Sequence, residues 1–347
     1  MKKIISIVGA RPQFIKHAPI QIQLKRFFND ITVHTGQHYD ENMSQVFFEE
    51  LNISRPDYLF DIGGSKPQGE QTGIMMAEIE KVCIREKPHA LLVYGDTNST
   101  LAGTLVAAKM QIPLIHIEAG LRSYNMAMPE EVNRIIADRF AYLLFCPTIE
   151  AVENLKKEGI NYENVFVSGD VMCDMLKLVE NRAKALADYP YYFVTLHRPY
   201  NTDNKERLLQ VLNHLNKLDW PVVFPMHPRT VTKLNNYGFK KGDFRNINII
   251  SPVGYIESIS WQKFALAVIT DSGGIQKEAY MLKKRCITIR TETEWKETLK
   301  GGWNTLLYDN LECLQENLNK PLTDYQEDLY GKGNAAEEIV QLIKQRL

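Results

Sequence analysis

The sequence predicts an α/β protein built from two doubly wound domains, each with a parallel sheet covered by helices. Short apolar runs alternate with longer helical patterns over nearly the whole chain of 347 residues. This alternation is typical of parallel strands joined by helical crossovers. The length is sufficient for two domains of ordinary size. The periodicity is lost between Val167 and Asp170, so we place the domain boundary near residue 170.

The predicted strands of the first half are Ile4–Val8, Ile31–Thr35, Ala90–Tyr94, Leu114–Ile117 and Tyr142–Cys146. The helices predicted between them are Phe14–Phe28, Gln71–Glu86, Thr97–Met110 and Pro129–Arg139. The second half continues the pattern, with strands at Tyr192–Leu196, Val222–Pro225, Ile247–Ile250, Leu266–Ile269 and Cys286–Ile289. The tail, Asn334–Leu347, is predicted as an amphipathic helix. Ligands of such sheets bind at the carboxyl ends of the strands, so we expect a site in a cleft between two facing domains.

The composition excludes several classes of protein. The chain is 44% hydrophobic and 24% charged with a formal net charge of -1, so no basic excess indicates a nucleic-acid partner. The cysteines form no C-x-x-C pair, which argues against structural zinc and against a disulfide framework, and favours the cytoplasm. No apolar run approaches the roughly 18 residues needed to cross a membrane. The short run Ile4–Val8 is interpreted as a first strand rather than a signal peptide.

One strand-to-helix turn in the second half is a candidate anion site. Asp271-Ser272-Gly273-Gly274 ends an apolar run, and a helix pattern begins at Ile275. Paired glycines allow a tight turn and close approach of a ligand, and a helix N-terminus suits a phosphate. Glu278, further along this helix, would suit hydroxyl groups such as a ribose diol. The alternative is a plain turn in which Ser272 is only an N-cap.

Charged side chains also follow the predicted strands of the first half. Arg11 and Lys16 follow the first strand, where they either face the cleft or form a solvated helix start. Asp96 comes just after Tyr94 and is either functional or the N-cap of the next helix. Glu118 closes a buried strand, where a carboxylate is costly unless it is paired or used. We therefore favour a functional role for Glu118.

Further candidates lie at a helix start and at two strand ends. Glu130 and Arg134 share a helix face, a spacing that more often gives a surface ion pair. His197 and His227 each follow a predicted strand, where either could titrate near neutrality or donate to a phosphate. His116 lies inside a strand and is interpreted as a core residue.

Two nucleotide-binding motifs are absent from the sequence. No G-x-G-x-x-G follows a strand, and no G-x-x-x-x-G-K-[ST] occurs. Nicotinamide and ATP are therefore not expected as cofactors.

Several motifs together resemble one known family, the non-hydrolysing UDP-N-acetylglucosamine (UDP-GlcNAc) 2-epimerases. In chain order they are Gly9-Ala10-Arg11-Pro12-Gln13-Phe14-Ile15-Lys16, Gly95-Asp96-Thr97-Asn98-Ser99, His116-Ile117-Glu118-Ala119-Gly120-Leu121-Arg122, Pro129-Glu130-Glu131-Val132-Asn133-Arg134, His197-Arg198 and Asp271-Ser272-Gly273-Gly274-Ile275-Gln276-Lys277-Glu278. The resemblance implies the GT-B fold, with Rossmann-like domains at 1–169 and 170–330 and a last helix, 331–347, crossing back to the first domain. It also implies a homodimer that interconverts UDP-GlcNAc and UDP-N-acetylmannosamine (UDP-ManNAc) without a cofactor or metal.

The resemblance assigns roles to individual residues. Those that would bind UDP are Arg11, His227, Ser272, Gly273, Gly274, Glu278 and Arg290, with Glu278 on the ribose. Those that would form the catalytic set are Lys16, Asp96, Glu118, Glu130, Arg134 and His197.

Some positions depart from the common pattern of the family. Thr293-Glu294-Trp295-Lys296-Glu297 stands where many members read Thr-Glu-Arg-Pro-Glu, and His197-Arg198 continues into Pro199-Tyr200-Asn201-Thr202-Asp203. These variants look like the branch that acts on UDP-2,3-diacetamido-2,3-dideoxyglucuronate, so this sugar is the alternative substrate. More distant alternatives are a GT-B glycosyltransferase, a hydrolysing epimerase and a catalytically silent nucleotide-sugar sensor. A sensor would have no use for Asp96, Glu118 and Glu130 together.

Overall fold

The computed structural model describes residues 1–37, 50, 53–63, 66–160, 162–226 and 228–347. They form two compact units. The first unit comprises Met1–Leu178 and Asp328–Leu347, and the second comprises Val179–Glu327. Each unit contains one parallel sheet with helices packed against it.

The first unit has a 7-stranded sheet in the order β3-β2-β1-β4-β5-β6-β7. Its strands are β1 Lys3–Val8, β2 Asn29–His34, β3 Tyr58–Leu59, β4 Ala90–Tyr94, β5 Leu114–Ile117, β6 Leu143–Cys146 and β7 Val165–Val167. Its helices are α1 Arg11–Leu24, α2 Gln68–Glu86, α3 Asn98–Met110, α4 Pro129–Phe140, α5 Ile149–Lys157 and α6 Val171–Val179, which ends at the unit boundary, with a 3-10 turn at Tyr162–Asn164.

The second unit has a 6-stranded sheet in the order β10-β9-β8-β11-β12-β13. Its strands are β8 Tyr192–Thr195, β9 Val222–Pro225, β10 Ile247–Ile250, β11 Ala267–Thr270, β12 Arg285–Thr288 and β13 Asn304–Leu306. Its helices are α7 Pro199–Thr202, α8 Lys205–Leu215, α9 Pro228–Asn236, α10 Tyr255–Phe264, α11 Gly273–Met281 and α12 Leu314–Asn319, and its 3-10 turns are Glu180–Arg182, Lys241–Asp243, Lys296–Gly302 and Leu311–Cys313.

The last helix, α13 Ala335–Arg346, belongs to the core of the first unit. Its buried side chains Ile339, Val340 and Ile343 pack in one apolar cluster with strand β1. The strand itself is apolar on both faces, since helices cover a parallel sheet from both sides. None of the helices in the described ranges is long and apolar enough to cross a membrane.

The predicted fold class, two doubly wound parallel sheets, is confirmed in both units. The sequence missed strands β3, β7 and β13, which are 2 or 3 residues long and too short to show a period. Strand β11 begins at Ala267, one residue later than predicted, and Leu266 is exposed.

Candidate functional site

The strand order of each sheet reverses at one place. In the first unit the reversal lies between β1 and β4, and in the second between β8 and β11. Ligands of doubly wound sheets bind beside the carboxyl ends of the strands at such a switch point. The turns that leave these four strands carry most of the residues that the sequence singled out.

Lys16 and Glu118 form a buried ion pair at the carboxyl edge of the first sheet. Their side chains are 11% and 8% exposed. Gly95, after β4, lies against this pair, because a Cβ at that position would be 2.8 Å from Glu118 Oε2 and 3.4 Å from Lys16 Nζ. Gly95 also has a φ of +59°, so both space and backbone conformation require glycine there.

Glu118 has an unusual backbone conformation for its residue type. Its φ is 68°, in the left-handed region that costs a residue with a Cβ roughly 1–2 kcal/mol. Such strain is found mainly where the surrounding structure and a function require it. The carboxylate offsets its own burial through Lys16, as a buried charge must.

Asp96 is held by an arginine rather than used as a helix cap. Arg134 Nη2 donates to Asp96 Oδ2 at 2.6 Å, and the Asp96 side chain remains 29% exposed. The N-cap of α3 is Thr97, whose hydroxyl accepts from the N–H of Thr100. The alternative interpretation of Asp96 as the N-cap is therefore wrong.

Glu131 is a site residue that the sequence analysis missed. Arg134 Nη1 donates to Glu131 Oε2 at 2.7 Å. The Glu131 carboxylate also accepts from the N–H and hydroxyl of Ser123 and from the N–H of Tyr124, each at 2.9 Å. Burial acts to raise the pKa of Glu131, but these hydrogen bonds and Arg134 outweigh it and the pKa is lowered. Its neighbour Glu130 is half-buried on the same turn of α4.

Gln13 connects the turn after β1 to the end of β4. Its Oε1 accepts from the N–H groups of Gly9 and Ala10 at 2.8 and 3.2 Å, and its Nε2 donates to the carbonyl of Tyr94 at 2.9 Å. These bonds fix the start of α1, where Arg11 is half-buried.

In the second unit, Asp271 organises the end of strand β8. Its buried carboxylate lies 3.0 Å from Nδ1 of His197 and accepts from the backbone N–H groups of His197 and Arg198. Asn201 Nδ2 donates to it at 3.1 Å. Burial acts to raise the pKa of Asp271, but the bonds from His197, Asn201 and Arg198 lower it. Asp271 is therefore an ionised acceptor, and the His197 side chain remains 52% exposed.

The turn after β11 leaves open space at the N-terminus of helix α11. Ser272 is at the N-cap position, but its side chain makes no capping hydrogen bond within the described chain. Among the described residues, a Cβ at Gly274 would have only Ser272 Oγ nearby, at 4.0 Å. The plain-cap alternative for Ser272 is therefore not supported, and the open helix end suits an anion.

The predicted reason for the two glycines needs correction. Neither Gly273 nor Gly274 has a left-handed φ in the described chain, so the bend itself does not require them. A Cβ at Gly273 would instead lie 2.4 Å from Glu294 Oε1. Gly273 therefore provides room for a protein carboxylate, and Gly274 keeps the helix end uncovered.

The remaining predicted UDP residues are buried or lie outside the described ranges. Glu278 is buried and accepts from Gln262 Nε2 at 2.7 Å. Arg290 is buried, and its Nη2 lies 3.0 Å from Glu294 Oε2. His227 lies outside the described residues. In the parts of the chain that are described, no group of three or more His, Cys, Asp and Glu side chains has the arrangement of a metal site.

The two units offer two kinds of chemistry. The first unit places Glu118 and Asp96, each paired with a cation, at the ends of adjacent strands. Such carboxylates can exchange protons with a bound molecule. The second unit presents an open helix N-terminus beside a half-exposed histidine, which can bind and act on an anionic group.

Comparison with known proteins agrees with this combination. A family model described as UDP-N-acetylglucosamine 2-epimerase matches residues 21–344. A Methanococcus maripaludis protein named UDP-N-acetylglucosamine 2-epimerase homolog is 45% identical over 356 residues, covering 99% of this chain and 99% of that protein. A Pseudomonas aeruginosa UDP-2,3-diacetamido-2,3-dideoxy-D-glucuronate 2-epimerase is 44% identical, covering 98% and 99%. The crystal structure of Methanocaldococcus jannaschii UDP-GlcNAc 2-epimerase in complex with UDP-GlcNAc and UDP superposes with a TM-score of 0.89 at 41% identity, covering 99% of this chain and 100% of that one.

Proposed function

The chain belongs to the UDP-N-acetylglucosamine 2-epimerase family, and from this premise we propose that it interconverts UDP-GlcNAc and UDP-ManNAc without hydrolysing them. One observation carries the proposal. Glu118 and Asp96 are carboxylates that follow adjacent strands, so two candidate acid–base groups lie at the sheet edge where ligands of this fold bind.

UDP binding is assigned to residues of the second unit together with Arg11. The open end of helix α11 at Gly274 supports a diphosphate there, and Glu278, on the same helix, is assigned to the ribose. The full proposed set is Arg11, His227, Ser272, Gly273, Gly274, Glu278 and Arg290.

Inversion at carbon 2 requires an indirect route. That carbon has no adjacent carbonyl, so its proton is far too weakly acidic for a carboxylate. If UDP leaves carbon 1 first, the cationic character shared with the ring oxygen acidifies the proton on carbon 2. Its loss then gives a glycal, and UDP re-adds after a proton arrives on the opposite face. Oxidation at carbon 3 would instead need a dinucleotide site, whose motif the sequence lacks.

Two acid–base groups on opposite faces of the sugar are needed, with pKa values near the working pH. Asp96, Glu118 and Glu130 are the candidates, and Lys16 and Arg134 hold two of them. His197, oriented by Asp271, completes the proposed catalytic set. The largest single contribution is expected from stabilisation of the departing diphosphate by Arg11 and the Ser272–Gly274 turn.

Product analysis by proton NMR tests the proposed function. The purified protein is incubated with UDP-GlcNAc alone, and we expect UDP-ManNAc to appear while the total of the two UDP-sugars stays constant. Free ManNAc with free UDP would indicate a hydrolysing enzyme. Conversion only after addition of an acceptor would indicate a glycosyltransferase. Binding without turnover of either UDP-GlcNAc or the diacetamido uronate would indicate a sensor.

A second substrate, the diacetamido uronate, is favoured by one comparison. The chain is 44% identical to the Pseudomonas aeruginosa uronate epimerase and 41% to the Methanocaldococcus jannaschii enzyme. Two of the sequence markers of this branch, Asn201 and Trp295, are buried, however. Asn201 bonds to Asp271 and to the carbonyl of Ile289, and Lys277 Nζ lies 3.8 Å from the ring centroid of Trp295.

These contacts mean that Asn201 and Trp295 hold other protein groups, which weakens their value as reporters of the sugar. We therefore keep UDP-GlcNAc as the main substrate. Turnover of the two UDP-sugars under the same conditions decides between them: comparable or faster turnover of UDP-GlcNAc supports the main proposal, and selective turnover of the uronate supports the alternative. The homodimer that the resemblance implies and the cytoplasmic location that the cysteine pattern favours stay predictions.

A further inference from the structure

His116 and Asp138 form a buried pair that touches the turns carrying the carboxylates of the first unit. Both side chains are fully buried, and His116 Nδ1 lies 2.7 Å from Asp138 Oδ1. The other ring nitrogen, Nε2, lies 2.8 Å from the carbonyl oxygen of Gly95. Gly95 directly precedes Asp96, and His116 lies two residues before Glu118.

Asp138 also holds the second of these turns directly. Its Oδ2 accepts from the N–H of Gly120 at 3.1 Å and from Arg122 Nη1 at 2.7 Å. Gly95 and Gly120 both have left-handed φ angles, +59° and +79°. The Asp138 carboxylate therefore holds the turn after β5 directly. It holds the turn after β4 through the imidazole ring of His116.

The hydrogen-bond partners determine the protonation of His116. The Gly95 carbonyl can only accept a hydrogen bond, so Nε2 carries a hydrogen. Burial acts to raise the pKa of Asp138, but the pKa is lowered, and Arg122 Nη1 and the N–H of Gly120 donate to the ionised carboxylate whichever form the ring takes. An ionised carboxylate also only accepts, so Nδ1 carries a hydrogen as well. The ring is therefore an imidazolium.

The charges of this network balance. The cations His116 and Arg122 flank Asp138, and Arg122 also makes a bidentate pair with Glu158 at 2.7 Å for both bonds. A buried ion pair adds little stability compared with apolar side chains of the same volume. The His116–Asp138 pair differs from an ordinary core contact because it makes hydrogen bonds to the backbones of two turns, not because it stabilises the fold.

We propose that His116 is a positioning residue of the epimerase reaction: as a buried cation bonded to Asp138, it fixes the Gly95 carbonyl and thereby sets Asp96 and Glu118 in place for proton transfer. This inference rests on the proposed function. It gives a role to a histidine that the sequence pattern assigns to the core.

Two amide substitutions at His116 test its hydrogen bonds to the Gly95 carbonyl and to Asp138 one at a time. In His116→Gln, the side-chain Nε2 occupies the place of the ring Nε2 and keeps a donor for the Gly95 carbonyl. In His116→Asn, the side-chain Nδ2 takes the place of ring Nδ1, which keeps the bond to Asp138 and loses the one to Gly95. We expect His116→Asn to lower kcat at least tenfold more than His116→Gln, with KM nearly unchanged. Glu158→Gln is the control, since it removes a charge at the outer end of the network, and its kcat should stay within twofold of wild type.

The pH profile of kcat separates positioning from a general loss of stability. Among the described contacts, Lys16 pairs with Glu118 and Arg134 with Asp96, while Asp138, which also pairs with Arg122, contacts the ring. Both amide variants remove the imidazolium, so the remaining carboxylates should protonate more easily. The acidic limb of kcat should therefore move to higher pH in both variants. Equal losses of kcat in the two variants, without movement of this limb, would overturn the proposal.

The protonation of the ring can also be measured in the wild-type protein, which covers the case in which a variant does not fold. With histidine labelled with nitrogen-15, both ring nitrogens of His116 should carry hydrogen at neutral pH. A ring with a single hydrogen at neutral pH would overturn the proposal. This measurement needs no substrate, so a negative result contradicts only the role of His116. A negative result in the epimerase assay would contradict the proposed function instead.

Discussion

Asp271 Oδ1 lies 3.0 Å from Nδ1 of His197, and the carboxylate is fully buried while the histidine side chain is half exposed. When Nδ1 donates its hydrogen to Asp271, Nε2 of the neutral ring keeps its lone pair. The two residues end strands β8 and β11, the pair at which the strand order of the second sheet reverses. This contact orients a titratable ring at the place where the fold binds ligands.

The first prediction concerns this contact. In Asp271→Asn, the carboxamide can donate to Nδ1, so the ring hydrogen should move to Nε2 and the lone pair should be lost. We expect kcat for the UDP-sugar to fall at least tenfold, about 1.4 kcal/mol of activation free energy, while UDP affinity changes little. Steady-state kinetics and calorimetry measure the two. Asp324→Asn, at an exposed position, is the control, and an unchanged kcat in folded Asp271→Asn would show that the contact is only structural.

A second prediction concerns the helix end at Gly274. Among the described residues, a Cβ there meets nothing closer than Ser272 Oγ at 4.0 Å, so Gly274→Asp should fold, and its carboxylate should repel the diphosphate. We expect UDP binding to weaken at least tenfold, about 1.4 kcal/mol. Gly274→Asn has nearly the same shape without the charge and should bind UDP more tightly than the aspartate variant. Unchanged UDP affinity by calorimetry in folded Gly274→Asp would show that this turn does not bind the diphosphate.

A third prediction concerns Asp174, which accepts from the N–H groups of Ala335 and Ala336 at the start of α13. Burial raises its pKa from 3.8 to about 6, against the opposing effect of these hydrogen bonds. The folded state therefore binds this proton more tightly than the unfolded state. The resulting stabilisation is largest below about pH 4 and is lost as the pH rises through about 6, by about 2–3 kcal/mol.

Carbon-13 NMR of the Asp174 carboxyl group tests this prediction directly, with an expected midpoint near 6. The free energy of unfolding gives a second readout. The value for wild type minus that for Asp174→Asn should fall as the pH rises from about 4 to about 8. A midpoint near the ordinary value of 3.8 would show that the helix N–H groups outweigh burial.

A fourth prediction concerns the acid–base groups. Asp96→Asn, Glu118→Gln and Glu130→Gln each remove one carboxylate while keeping its approximate shape. If one of them supplies the proton in the second half of the reaction, its amide variant should block re-addition more than elimination. We then expect UDP and the glycal to accumulate together in that variant, detected by NMR. Glu70→Gln, on the exposed face of α2, is the control, and epimerisation at the wild-type rate in all three variants would remove them from the mechanism.

The strands could be predicted from the sequence because they are buried on both faces and therefore appear as continuous apolar runs. Ala90–Tyr94 and Leu114–Ile117 were predicted with their observed bounds. Strands of 2 or 3 residues, such as β3, carry too few side chains for a period to appear. Polar residues at the ends of predicted strands then indicated Glu118 and Asp96 before any geometry was known.

The residues that hold the site were harder to predict. Glu131 and Asp138 lie on a helix, where charged residues usually form a solvated face, and nothing in their spacing shows that they are buried. His116 was assigned to the core, and its burial agrees with that, but its bond to the Gly95 carbonyl depends on the pairing of β4 with β5. Asp271 had an available signal, since it closes a buried strand in the same way as Glu118.

The proposed mechanism inverts carbon 2 of a UDP-sugar by elimination and re-addition of UDP. The most direct test is to run the epimerisation in heavy water and locate deuterium in the product by NMR. The proton on carbon 2 passes to one side chain and its replacement comes from another, and both exchange with water between turnovers. The product should therefore carry deuterium at carbon 2 and at no other ring carbon. Epimerised product without deuterium at carbon 2 would contradict the mechanism.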